Sequence, residues 1–148
     1  MFGPGVRSAY NPIEGIRMSE ENIAVVRGLY EAFGRGDVPA VLAGFDENIE
    51  WYEAEGMPQG GLHRGPQAVA ENVFGPITGD VEGFAVTPDE FYAGGDEVVT
   101  ITTYSGTAAK TGKDLRQQAA HAWTLRDGKI TRFRQFMDTV KYNEVVAP

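Results

Sequence analysis

Apolar residues recur at steps of three and four after Met18, and at steps of two after Asn48, with one return to the helical period near Pro66. Ser19 is placed to cap a first helix, Glu20 and Glu21 suit its first turn, and Ile23, Val26, Tyr30 and Phe33 form one apolar stripe. Gly34 and Gly36 end that helix. Asp37 caps a second, short one, with Pro39 in its first turn and Val41, Leu42 and Phe45 as its apolar face. From Asn48 the alternation puts Ile49, Trp51 and Glu53 on one strand face and Glu50 and Tyr52 on the other. A carboxylate thus continues an apolar face.

Residues 55–65 form a Gly-rich loop of the kind that rims binding sites, and Pro66, Ala68, Val69, Val73 and Phe74 predict a third short helix. Beyond it, residues 83–91, 97–107, 114–126 and 129–138 are rich in Val, Ile, Thr and aromatics and read as strands. Ala93 to Asp96 and the pair Asp127-Gly128 mark hairpin turns. Helices first and hairpins afterwards predict an α+β fold, with three N-terminal helices packed on a strongly curved, mainly antiparallel sheet and a small-molecule pocket between them. Residues 1–17, rich in Gly and Pro and without periodicity, read as a leader or extension, and residues 18–148 as one domain.

Charge and composition narrow the partners. The formal net charge is -8, and only Arg132 and Arg134 lie close together among the basic residues, so no basic face exists to neutralise phosphates and no nucleic-acid partner is expected. No apolar run approaches the roughly 20 residues that span a bilayer. The chain is therefore read as cytoplasmic with no membrane partner. It has no cysteine and two histidines, which removes disulfides and thiolate chemistry and gives little support to a protein-built metal centre. No Walker loop, dinucleotide-binding glycine fingerprint, HExxH or GxSxG motif is present either.

Acid–base chemistry or binding remains. Burial of Glu53 beside Trp51 would raise its pKa toward that of a useful base, unless strand twist carries it to the rim. His121 lies in an apolar strand stretch before Trp123, and Asp138 ends the last strand. If Asp127 and Gly128 are the two central turn residues, His121 faces Arg134, with Phe136 and Asp138 on its side. If the turn takes a third residue, His121 faces Phe133 and Asp138 lies opposite. Tyr30, Trp51, Tyr52, Tyr104 and Trp123 are candidate cavity-lining aromatics, with Phe136 beside them in the first register, and His63 is a candidate at the pocket rim.

Several of these segments together resemble the SnoaL-like family, named for polyketide cyclases, within the nuclear-transport-factor and ketosteroid-isomerase superfamily. The segments are Tyr30-Glu-Ala-Phe-Gly-Arg-Gly-Asp37, Ile49-Glu-Trp-Tyr-Glu-Ala-Glu-Gly56, Gly61-Leu-His-Arg-Gly65 and the stretch from His121 to Asp138. The resemblance implies a cone-shaped fold, a deep pocket for a small hydrophobic or carbonyl-containing molecule, and homodimers packed through the sheet. It further implies acid–base chemistry without a cofactor, as isomerase, cyclase or dehydratase. On it, Glu53 falls where ketosteroid isomerases carry a general-base Asp, whereas their oxyanion-hole Tyr falls on Leu29. His121 and Asp138 lie in strands where SnoaL-type cyclases carry a pocket His and Asp. The candidate catalytic set is thus Glu53, His121 and Asp138. The alternative is a dimeric binding protein that sequesters or senses a hydrophobic ligand without turnover.

Overall fold

The computed structural model describes residues 11–148, so most of the segment read as a leader, residues 1–10, lies outside the described residues. The first helix, α1 (Pro12–Gly34), starts seven residues before the Ser19 cap read from the sequence. Asn11 is its cap: the side-chain oxygen accepts from Ile13 N and Glu14 N, and Pro12 occupies the first turn. The early turns carry no buried apolar stripe, so periodicity could not reveal them. The buried stripe comes later, at Val26, Leu29, Tyr30 and Ala32, with Ile23 and Phe33 packed against it. Asp37 caps α2 (Val38–Ala43) as expected, accepting from Ala40 N at 3.1 Å.

Strand β1 (Phe45–Glu53) follows the predicted alternation, with Ile49, Trp51 and Glu53 buried. The Gly-rich segment is not wholly loop, because Gly61–Arg64 forms an edge strand, β2, antiparallel to β1. The third helical segment runs on from Pro66–Val69 through a π-helical turn, Ala70–Phe74, to Gly75–Asp80. Strands β3 (Val81–Gly94), β4 (Glu97–Ala108), β5 (Asp114–Arg126) and β6 (Lys129–Met137) then pair consecutively as antiparallel neighbours.

The sheet and the helix count correct the sequence-based expectation. The strand order is β2-β1-β6-β5-β4-β3, and β1 pairs with β6 in parallel, so the sheet is mixed. Its edges β2 and β3 lie at opposite ends, leaving an open sheet rather than the strongly curved cone expected. There are also four helical segments among the described residues, not three N-terminal ones, because Thr139–Val146 forms a C-terminal helix. That helix packs back on the sheet through Tyr142, which is completely buried, and Val146. A side chain at Gly56, just past β1, would collide with Thr139, so the loop after β1 and the start of this helix are in close contact.

The closing hairpin takes neither register left open by the sequence. Asp127-Gly128 is the turn, both residues at positive φ, and Arg126 pairs with Lys129. A register shift between Thr124 and Leu125 then leaves Thr131 as the extra residue on β6, so Trp123 pairs with Phe133 and His121 with Gln135. One extra residue exchanges the two faces of the strand. Phe133 and Gln135 thereby point inward, and Arg134 and Phe136 point away from the helices.

Candidate functional site

Inward-facing residues of β1, β4, β5 and β6 meet the stripe of α1 around one internal cavity. Its walls are mainly aromatic. Trp51 stacks on Phe133 with centroids 3.6 Å apart, Trp123 meets Phe133 at 4.7 Å, and Phe74 closes the helix side against Trp51 at 5.4 Å. The space open to the centre of a water molecule is about 60 Å³. Apolar cavities of about 150 Å³ accept a benzene ring, so a single ring enters only as lining side chains give way.

Two polar clusters break this apolar lining. In the first, Glu53 is 4% exposed; its Oε1 accepts from Trp51 Nε1 at 2.9 Å and its Oε2 from Gln59 Nε2 at 3.4 Å. Burial penalises the carboxylate more than these donors relieve it, and the pKa rises from 4.5 to about 7. Glu53 and Gln135 also line a recess on the outer surface with Gly61, Leu62, Arg134 and Phe136, so they separate the cavity from that recess.

The second cluster spans the chain. Tyr30 Oη lies 2.6 Å from His121 Nδ1, and Tyr104 Oη lies 2.5 Å from His121 Nε2. Trp123 Nε1 donates to Tyr30 Oη at 3.1 Å, and Gln135 Nε2 donates to Tyr104 Oη at 2.9 Å. The Gln135 amide orientation follows from its oxygen, which accepts from Ala54 N. Desolvation lowers the His121 pKa from 6.5 to about 3, so the imidazole is neutral. Burial raises the ionisation of both tyrosines well beyond its ordinary range, and the Glu53 charge adds to this at Tyr104. Both stay protonated hydroxyls.

The structure brings Glu53, His121, Tyr30, Trp51, Tyr104 and Trp123 to one cavity and leaves four other candidates outside it. Asp138 lies past the end of β6 as the N-cap of the C-terminal helix, its Oδ1 accepting from Lys141 N at 3.0 Å. It therefore does not line the cavity that holds Glu53 and His121. Phe136 is 54% exposed on the outer face, because the β6 bulge reverses its side. Tyr52 also faces outward, as the alternation of β1 requires. His63 sits on β2 with Nε2 2.8 Å from the Gln59 carbonyl oxygen, so it steadies the loop that carries Gln59 rather than lining the cavity.

Residues 26–133 match the SnoaL-like domain family. The chain belongs to that family. Its wider superfamily is that of the nuclear-transport-factor-like and ketosteroid-isomerase-like proteins. Among solved structures, a nuclear-transport-factor-like protein of Burkholderia thailandensis is 33% identical, with 86% of this chain and 98% of that one covered and a TM-score of 0.81. TerC, co-crystallised with polyporic acid, is 30% identical over 86% of this chain and 99% of its own, with a TM-score of 0.79. A protein of Jannaschia assigned as a SnoaL-like polyketide cyclase shares the fold at 17% identity, covering 94% of this chain and 97% of its own with a TM-score of 0.75. No curated protein matches the chain.

Sequence reasoning missed three polar residues of this SnoaL-like site. Gln135 links Tyr104 to the backbone N–H of Ala54, next to Glu53; Gln59 holds Glu53 from the loop; and the buried Thr100 lies near Tyr30. Gln135 was within reach of the period-two rule, since it follows Phe133 on β6 by two residues. Thr100 was not: threonine is ordinary in strands, and its significance lies in facing His121 across the β4–β5 pair. Among the described residues no three His, Asp or Glu side chains cluster as metal ligands.

Proposed function

We propose that this chain is a cofactor-independent acid–base enzyme acting on a small cyclic carbonyl compound. The supporting observation is the pairing, in one aromatic cavity, of a carboxyl group with pKa about 7 and a cluster of neutral hydroxyl donors. Glu53, as carboxylate, takes a proton from the carbon beside the carbonyl and returns it at another carbon of the same conjugated system. A tyrosine hydroxyl of the second cluster donates to the oxygen on which negative charge develops. Both His121 nitrogens are engaged by tyrosines, so His121 positions those hydroxyls and does not itself meet the substrate. The co-crystallisation of the similar protein TerC with polyporic acid supports a small organic ligand, and the cavity size favours a single ring.

A second reading, binding without turnover, draws on the two donors that already occupy the Glu53 oxygens. The two readings separate with 3-cyclohexen-1-one, whose conversion to the conjugated isomer is followed by ultraviolet absorbance. The wild type is expected to accelerate the conversion, with kcat/KM rising through about pH 7 as Glu53 ionises. Glu53→Gln should lower the rate by about 10²–10⁴-fold. Equal rates for both proteins at every pH would leave only the binding reading. We also propose pairing of two copies through the outer sheet face, where Tyr52, Leu62 and Phe136 are exposed.

A further inference from the structure

A count of hydrogens in the second polar cluster exposes an asymmetry between its two tyrosines. A neutral imidazole carries one N–H, so it donates to one tyrosine oxygen and accepts from the other. Tyr30 and Tyr104 both lie within hydrogen-bond distance of it, which leaves one tyrosine O–H to be directed elsewhere. Tyr30 already accepts from Trp123, and beside it lies the Thr100 hydroxyl, wholly buried and without a hydrogen-bond partner of its own. Tyr104 already accepts from Gln135, and no further protein acceptor bonds to it. Its remaining direction belongs to the cavity that it lines.

We propose that Thr100, Tyr30, His121 and Tyr104 form one relay with two proton arrangements, and that an anionic ligand oxygen selects the arrangement in which Tyr104 donates into the cavity. In the resting arrangement the His121 proton is on Nδ1 and donates to Tyr30, the Tyr30 O–H is turned to the side of the unpartnered Thr100 hydroxyl, and Tyr104 donates to Nε2. In the liganded arrangement Tyr30 donates to Nδ1, the imidazole proton is on Nε2 and donates to Tyr104, and the Tyr104 O–H keeps its proton and donates a hydrogen bond to the ligand. The inventory is the same in both, with one proton on the imidazole and one on each hydroxyl. Resting burial favours the first, because the second turns the Tyr30 O–H away from the unpartnered Thr100 hydroxyl and points a free Tyr104 O–H into an apolar cavity. An enolate or phenolate oxygen reverses that balance through a charge-assisted hydrogen bond. The ligand class is thus a small ring bearing an oxyanion, and Tyr104, not Tyr30, is the residue that meets it. This assignment rests on the acid–base reading of the same cavity but not on Glu53 as its base.

The test is nitrogen-15 NMR of the His121 ring in the full chain carrying Glu53→Gln, which removes the competing carboxylate, at about pH 8 with 4-nitrophenolate as the probe. The free protein should show the Nδ1–H tautomer and the saturated complex the Nε2–H tautomer. Thr100→Val, which keeps the shape and deletes the acceptor, should show Nε2–H without any probe and bind 4-nitrophenolate about 3–10-fold more tightly. Thr100→Ser should restore the Nδ1–H resting form, and Tyr104→Phe should abolish the probe-induced change. Bound probe with an unchanged Nδ1–H ring, or a Thr100→Val ring that stays Nδ1–H, overturns the relay while leaving Glu53-dependent isomerisation standing. Failure of the probe to bind overturns the relay and the oxyanion-binding half of the proposed function together.

Discussion

Replacing Glu53 by Gln should change the pH dependence of folding in a manner that the two polar clusters jointly determine. Each unit of pKa displacement between folded and unfolded chain is worth about 1.4 kcal/mol. Glu53 is displaced upward from 4.5 to about 7, so the folded state keeps a proton that the unfolded state has lost. Its contribution is complete below pH 4.5 and declines as pH rises to about 7, by about 3 kcal/mol in all. His121 is displaced downward from 6.5 to about 3, so the unfolded state binds a proton that the folded state refuses. Its contribution is complete above pH 6.5 and is lost as pH falls to about 3, by about 5 kcal/mol.

Between pH 4.5 and 6.5 the two slopes cancel: the unfolded chain holds the proton on His121, and the folded chain holds it on Glu53. The wild type should therefore show no slope from this pair in that window. Glu53→Gln exposes the His121 slope, and stability should rise by about 1.4 kcal/mol per pH unit there. Relative to wild type the variant should gain about 3 kcal/mol between pH 4.5 and about 8, since other titrating groups subtract out. The amide fits the site, accepting from Trp51 Nε1 and offering an N–H to the unpartnered Gln59 Oε1. Urea denaturation, followed by the fluorescence of buried Trp51 and Trp123 at a fixed protein concentration, measures the difference at each pH. A difference between variant and wild type that stays constant within about 0.5 kcal/mol across the range would refute the burial argument for Glu53.

Tyr142 is completely buried and its hydroxyl has no hydrogen-bond partner, so Tyr142→Phe should stabilise the fold by about 1 kcal/mol, read as a higher denaturation midpoint at unchanged m-value; a destabilised variant would show that the hydroxyl does find a partner. Light scattering of Phe136→Glu tests pairing through the sheet: the exposed ring lies on the outer face, and a charge there should convert dimers to monomers, whereas an unchanged mass would place any contact elsewhere. The loss of isomerisation in Glu53→Gln and the tautomer state of Thr100→Val test the chemistry of the cavity independently of these.

Glu53 illustrates what a local pattern discloses. Alternation along β1 placed Ile49, Trp51 and Glu53 on one face, and a strand has only two faces to offer. The Asp37 cap and the Asp127-Gly128 turn were legible for the same reason, because their chemistry is completed within a few residues. The start of α1 was not, since its first turns are solvent-exposed on all sides and leave no stripe. The capping role of Asp138 was not legible either, because the residue sits where strand and helix meet and caps a helix that the strand pattern hides.

The sequence by itself determined the core of the first two helices, the strands β1 and β3 to β6, the inward aim of Glu53 and the aromatic character of the pocket, all of which follow from periods of 3.6 and 2. Only the tertiary structure decided the parallel β1–β6 pairing, the extra residue at Thr131 that turns Gln135 inward and Phe136 outward, and the joining of Tyr30 to His121 across 91 positions. Those features depend on which distant backbones pair and in what register. A shift of one residue there exchanges the two faces of a strand, while the local hydrophobic pattern that a sequence displays stays the same.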